Sequence, residues 1–189
     1  MNLKELVAQA TAQLTEAGVS FGHGTTNAAD EAAWLVLHAL GLPLDTGLSD
    51  KDVESNRPVA PEEYARAATL LGARISTRKP AAYLTQEAWL QGVPFYVDGR
   101  VIVPRSLIAE LLVDGSIDYW LKESTHHVLD LCTGNGSLGI LAAMVYPDVE
   151  VTGADISADA LAVARINVDK HQLQSRMKLL ESDGLKAIP

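Results

Sequence analysis

Apolar residues recur three and four apart through the first part of the chain, and later gather into short runs separated by glycine and proline. That change of period marks a change of architecture. Leu3, Leu6, Val7, Ala10 and Leu14 share one face of a helix that Gly18 closes. Asn27 stands as the cap of a second helix, Ala28 to Leu40, which carries Trp34, Leu35, Leu37 and His38 and is followed by Gly41. Residues 42–60, with their Pro, Gly, Asp and Ser, read as a loop. Pro61-Glu62-Glu63 has the proline and the acids of a helix start, and that helix is expected to run to about Ser76. On these helices His38 faces the apolar stripe at most partly and reads as a packed histidine rather than a ligand or catalyst. Arg66, Arg74, Arg78 and Lys79 read as a solvated basic face.

From Tyr83 the pattern turns strand-like. Aromatic and β-branched residues are separated by Gly92, Pro94 and Gly99, which predicts hairpin strands at Glu87–Leu90, Phe95–Val97 and Val101–Val103. Ser106 then caps a helix from Leu107 to Trp120, interrupted by Gly115. Beyond it the order is β-α-β-α-β, with strand-like runs ending at Leu131, Ala154 and Leu180 and helices at Leu138–Tyr146 and Ala158–His171. The expected fold class is α/β. A small N-terminal helical domain occupies residues 1–82, a β-hairpin linker residues 83–103, and the first half of a Rossmann-like domain residues 104–189.

Composition narrows the class without naming an activity. The chain has 189 residues, 48% hydrophobic and 21% charged, enough for a sizeable core in one or two domains. It holds no run of about 18 apolar residues and its start is no signal peptide, so a cytoplasmic protein with no membrane partner is expected. One cysteine, Cys132, excludes an internal disulfide and agrees with a reducing compartment. The net charge of −9 argues against strong direct binding to nucleic acid and suits a basic protein partner.

The candidate chemistry lies at Leu129-Asp130-Leu131-Cys132-Thr133-Gly134-Asn135-Gly136-Ser137-Leu138-Gly139, a strand, a glycine turn and a helix start. Gly134, Gly136 and Gly139 fit the GxGxxG spacing of a dinucleotide loop, which any glycine-rich strand–helix turn can match. Asp130 separates the alternatives. A carboxylate there would repel a pyrophosphate, whereas S-adenosyl-L-methionine carries an ammonium and a sulfonium and no phosphate. Asp155, 21 positions after Gly134, ends the next strand and suits ribose hydroxyls in either cofactor. Asp183, after the third strand and before Gly184, is placed to accept from an adenine amino group. The three acids at three strand ends favour the sulfonium cofactor. Each acid is also a plausible cap or turn residue, and Cys132 reads as a small side chain in a crowded turn rather than a nucleophile.

Four elements follow one another in a telling order: Arg78-Lys79-Pro80-Ala81-Ala82-Tyr83-Leu84, Phe95-Tyr96-Val97, Val101-Ile102-Val103-Pro104-Arg105-Ser106, and Leu129-Asp130-Leu131-Cys132-Thr133-Gly134-Asn135-Gly136. Together they resemble the HemK/PrmB family of protein-(glutamine-N(5)) methyltransferases over nearly the whole chain. The form Pro104-Arg105-Ser106 with Leu-Cys-Thr-Gly is more similar to the ribosomal-protein branch than to the release-factor branch. The resemblance implies methylation of a glutamine side-chain amide, in that branch on the third protein of the large ribosomal subunit. It also implies a helical substrate-binding domain, a hairpin linker and a Rossmann-like S-adenosyl-L-methionine-dependent domain. Carried over by motif, Cys132, Thr133, Gly134, Asn135 and Gly136 would lie under the methionine and ribose. Asp155 would hold the ribose hydroxyls, and Asp183 with Gly184 would lie beside the adenine. Gln86 and Gln91 depart from the small or aromatic residues expected in the hairpin.

One departure is larger. The family's catalytic signature, Asn-Pro-Pro-Tyr after a fourth strand, has no counterpart, because the chain contains neither an Asn-Pro nor a Pro-Pro pair. No catalytic residue and no metal ligand is therefore assigned. The expectation is the N-terminal part of a longer enzyme, able to bind cofactor at most. Two alternatives stay open: an amino-methyltransferase of a nucleic-acid base, and a noncatalytic ribosome-binding module with a remnant cofactor fold.

Overall fold

Side-chain caps set where the first helices begin. Asn2 accepts from the backbone N–H of Glu5 at 2.8 Å while the Glu5 carboxylate accepts from that of Asn2 at 2.9 Å, and this reciprocal box opens α1, Leu3–Glu16. Asn27 does the same work for α2, Ala28–Leu40, by accepting from Asp30 N. Such caps are worth about 1 kcal/mol each. The computed structural model describes residues 1–189 and divides them into two compact units, Met1–Thr85 and Gln86–Pro189.

In the first unit α1 buries Leu3, Leu6, Ala10 and Leu14. It packs with α2 and with α3, Pro61–Thr77, and α4, Ala81–Thr85, completes the helical set. The loop between α2 and α3 contains one 3-10 turn, Glu54–Asn56. Two readings are corrected. His38 is exposed, although it lies one helical turn after the buried Trp34 and so shares its side of the last turn of α2. Arg74 is no solvated cation. It is 2% exposed, its Nε donates to Glu31 at 2.7 Å, and a terminal NH2 donates to the Ser20 carbonyl at 2.7 Å. Glu31 is equally buried and accepts a further bond from Thr25 at 2.9 Å. The local helical pattern placed Arg74 with Arg78 and Lys79; the partner that buries it comes from another helix.

The second unit opens with a hairpin, β1 (Glu87–Leu90) and β2 (Val93–Tyr96), antiparallel with Leu90 opposite Val93. Gln91 and Gly92 both have positive φ, 50° and 75°, the backbone of a tight two-residue hairpin turn. Gln91 thus occupies a conformation that usually selects Asn, Asp or Gly, which is the physical content of its departure from expectation. The second strand begins at Val93 rather than Phe95. Tyr83 to Thr85 is helical, not strand-like. Val101–Val103 forms no strand; Val101 and Val103 are buried and Ile102 is exposed, so the alternation reports a buried face without a ladder partner. The helix capped by Ser106, α5, stops at Val113 instead of Trp120, and a separate 3-10 turn covers Asp118–Trp120.

The α/β part follows: β3 (His127–Leu131), α6 (Ser137–Val145), β4 (Glu150–Asp155), α7 (Ala158–Lys170) and β5 (Met177–Glu181). The strands form one parallel sheet in the order β3-β4-β5. Its core joins Ile140, Leu141, Val151, Val168 and Met177 to Phe95 of the hairpin and to Ala109 and Leu112 of α5. Phe95 is fully buried with its ring 5.3 Å from that of His171, so the hairpin expected as a linker is a packed part of this unit.

Candidate cofactor site

Parallel pairing with Leu131 opposite Ala154, and Asp155 opposite Glu181, brings the C-terminal ends of the three strands to one edge. The chain leaves β3 through Cys132, whose φ is +61°, and Gly134, whose φ is +56°. A Cβ placed on Gly134 would meet nothing within 4 Å, so the turn has open space above it. Gly139 is the opposite case: a Cβ there would lie 3.1 Å from Asp130 Oδ2 and 2.8 Å from Met177 Cε. The third glycine thus lets α6 approach the strand closely, as in dinucleotide folds. Cys132 is exposed, which corrects the reading of a small side chain filling a crowded turn.

Asp130 lies beneath this turn. Its Oδ2 accepts from Thr133 Oγ1 at 2.5 Å and from Gly139 N at 2.9 Å, and its Oδ1 takes part in neither bond. Burial pushes its carboxyl above the usual aspartate range, partly opposed by the Thr133 and Gly139 bonds, with the nearby Asp155 charge adding to the rise. No cation pairs with it. Asp155 spans the adjoining loop: Oδ2 accepts from Gly134 N at 2.9 Å and Oδ1 from Ser157 N at 3.0 Å. Each oxygen keeps a second lone pair, so these bonds leave acceptor capacity for hydroxyls. Ser157 in turn caps α7 through Ala160 N.

The three expected acids share an edge but not a state. Ser182 N donates to the Asp155 carbonyl at 2.9 Å, which joins the segment before Asp183 and Gly184 to the same corner. The Asp183 carboxylate itself is exposed and paired with Lys186. Ser182, buried beneath it, donates to the Gly184 carbonyl at 2.7 Å and accepts from Ala187 N at 3.1 Å, so it shapes that turn.

Asn135 and Asn167 hold the loop from behind. Asn167, on α7, has no exposed surface; its Nδ2 donates to the carbonyls of Asn135 (2.9 Å) and Tyr96 (3.0 Å), and its Oδ1 accepts from Tyr96 N at 2.6 Å. One side chain thus ties the glycine loop to the hairpin. Sequence reasoning missed Asn167. A polar, weak helix former in line with the buried Val163, Ala164 and Val168 was the signal available. Asn135 is 4% exposed, its Oδ1 accepts from Ser137 N, and its Nδ2 has no partner.

This donor set fits S-adenosyl-L-methionine better than a dinucleotide. A desolvated carboxylate with one free oxygen is stabilised by an ammonium and destabilised by a pyrophosphate. The orphaned Asn135 amide and the open space over Gly134 leave both a donor and room. The parallel β-α-β-α-β order and this edge define the class, a Rossmann-like α/β domain with a candidate cofactor turn.

Comparison with known proteins agrees. Residues 5–85 match the PrmC N-terminal domain and residues 112–189 the methyltransferase small domain, which bears out the family resemblance. The chain is 47% identical over 188 residues to the ribosomal protein uL3 glutamine methyltransferase of Burkholderia pseudomallei, covering 99% of this chain and 60% of the relative. It is 46% identical over 189 residues to the protein of that name from Bordetella pertussis, covering 99% and 62%. It is also 44% identical over 183 residues to that of Neisseria meningitidis, covering 96% and 59%. The chain therefore spans about three-fifths of the length of the curated relatives it matches. Among solved structures the overlay is loose; the N-terminal domain of human METTL16 in complex with SAH gives a TM-score of 0.39 at 14% identity, over 62% of this chain and 42% of that one. No helix is long and apolar enough to cross a membrane.

Proposed function

We propose that this chain forms the cofactor-holding part of an S-adenosyl-L-methionine-dependent methyltransferase acting on a glutamine side-chain amide of the large-subunit ribosomal protein uL3. The observation that carries the reading is the pair of carboxylates around the glycine turn: Asp130 desolvated with a free oxygen, Asp155 fixed by Gly134 N and Ser157 N. In this reading Asp130 faces the methionine ammonium and Cys132 to Gly136 line the methionine and ribose. Asp155 accepts from the ribose hydroxyls, and Asp183 with Gly184 flanks the adenine once Lys186 yields its ion pair. The bound cofactor supplies an electrophilic methyl group on a sulfonium. The chain's own residues bind, orient and exclude water from that group, and none of them is assigned to the transfer step. The unit Met1–Thr85 is the candidate for holding the protein substrate, in keeping with its match to the PrmC N-terminal domain.

Calorimetric titration of the chain with S-adenosylhomocysteine, with NAD as control, tests the cofactor assignment. Binding of S-adenosylhomocysteine alone is expected. Binding of NAD alone would overturn it, since the Asp130 argument excludes a pyrophosphate at this turn.

A further inference from the structure

At the other end of the parallel sheet, where β3 and β4 begin, a cavity of about 790 Å³ opens. Leu112, Leu121, Val128 and Val149 supply apolar wall, and three exposed carboxylates, Asp118, Glu123 and Asp148, stand on the same lining with Lys122 as the one permanent cation. The Asp118 carboxylate is held in place by the Tyr146 hydroxyl, which donates to it at 2.6 Å. The 3-10 turn that contributes Asp118 also presents Tyr119 and Trp120, which are 85% and 77% exposed with ring centroids 5.1 Å apart, edge to face at 89°. Two large aromatics fixed against each other and left in water are a recognition feature more than a packing one.

We propose that this cavity and its aromatic pair are a docking surface for a lysine- or arginine-rich segment of a basic protein, which on the functional reading above is the ribosomal protein substrate. The surface matches such side chains part by part. Their aliphatic stems fit apolar wall, and their cationic heads meet carboxylates at the opening. The exposed faces of Trp120 and Tyr119 attract cations further. A purely apolar partner would leave the carboxylates unused, and RNA phosphate would be repelled by them. The whole chain's charge of −9 steers a cationic partner toward it. A protein that lives on RNA must carry lysine and arginine to neutralise phosphate, so a ribosomal protein has the chemistry this surface accepts.

The test is binding of purified uL3 to the full chain by biolayer interferometry at about 0.05 and 0.3 M salt, across which surface charge pairs are progressively screened. Two double variants accompany the unaltered chain, Tyr119→Ala with Trp120→Ala and Glu123→Lys with Asp148→Lys. All four positions are exposed, and thermal melts verify that each variant folds. Each double variant is expected to weaken uL3 binding about tenfold, consistent with loss of roughly 1.4 kcal/mol. Binding by the unaltered chain should fall with salt, and S-adenosylhomocysteine affinity should stay the same in all three proteins. Absence of uL3 binding to the unaltered chain overturns the proposal, as does equal binding by both variants, or competition by a single-stranded RNA oligonucleotide. Loss of S-adenosylhomocysteine binding alone, with the uL3 results as expected, would refute the cofactor reading and leave the docking surface standing.

Discussion

Each of the two units buries charge, and they do so in opposite ways. In the helical unit Arg74 and Glu31, both 2% exposed, neutralise one another at 2.7 Å, and the Ser20 carbonyl and the Thr25 hydroxyl complete the shell. In the α/β unit Asp130 and Asp155 carry like charges side by side, bonded to backbone N–H groups and one hydroxyl, with no cation on either. A charge pair closed within the protein specifies packing. Carboxylates that order a turn yet lack a counter-charge hold electrostatic demand that a cationic ligand relieves. The contrast separates a structural cluster from a candidate site without appeal to either one's sequence motif.

Breaking the closed pair should have the largest effect. Arg74→Leu leaves Glu31 buried and unpaired, and the expected cost is about 3–5 kcal/mol of unfolding free energy. Urea denaturation measures it, and Arg74→Leu combined with Glu31→Leu should recover most of the loss. A single-variant cost under about 1 kcal/mol would mean the pair is solvated in solution, and the contrast with Asp130 would collapse.

The next effect is expected at Asn167, where the α/β unit has its own fully satisfied polar group. Asn167→Leu orphans the Tyr96 N–H and the carbonyls of Tyr96 and Asn135. At about 1–3 kcal/mol for a buried unsatisfied group, and with partial relaxation, the expected loss is roughly 2–4 kcal/mol in the same denaturation assay. S-adenosylhomocysteine affinity should fall with it, because the Asn135 carbonyl loses the bond that holds the turn. An unstable variant with unaltered affinity would show that hairpin and turn are not coupled.

Both of these residues show where the sequence ceases to be readable. Asn27 and Ser106 were legible as caps because the bonds that define them reach two or three residues along the chain. The β-α-β order and the glycine turn were legible for the same reason. Arg74 lies 43 positions from Glu31, and Asn167 lies 71 from Tyr96, so no local pattern contains their partners. Val101–Val103 failed differently. Its alternation encodes which side chains are buried, and burial alternates equally in an extended segment that packs without a ladder. Asp130 was singled out for its charge against a pyrophosphate, and the structure adds what sequence could not, its bonds to Thr133 and Gly139.

A smaller effect, read in ligand affinity, separates Asp155 from its neighbours. Asp155→Ala removes the acceptor for Gly134 N and the proposed acceptor for ribose hydroxyls. It is expected to weaken S-adenosylhomocysteine binding by about 1–3 kcal/mol in calorimetry. Asp183→Ala, whose carboxylate is exposed and engaged by Lys186, should cost less. An inverted order would move the weight of the site to the adenine end.

The finest test of the contrast is a titration. Because burial raises the Asp130 carboxyl, the native state holds that proton more tightly than the unfolded chain does. The sign follows from linkage: this group's contribution is most favourable below the ordinary aspartate pKa of about 3.9 and declines as pH rises from there through the raised value. In the unliganded chain ¹³C NMR of the Asp130 carboxyl should therefore show a midpoint above the usual aspartate range. Asp130→Asn should flatten the corresponding slope in urea stability. Asp155→Ala should lower the midpoint by removing a like charge, and bound S-adenosylhomocysteine should lower it by placing an ammonium beside the free oxygen. Binding would then release a proton, so affinity should rise with pH through the same window. A midpoint that S-adenosylhomocysteine leaves in place would show that the ammonium sits elsewhere, and would reduce Asp130 to a turn residue as internally satisfied as Arg74.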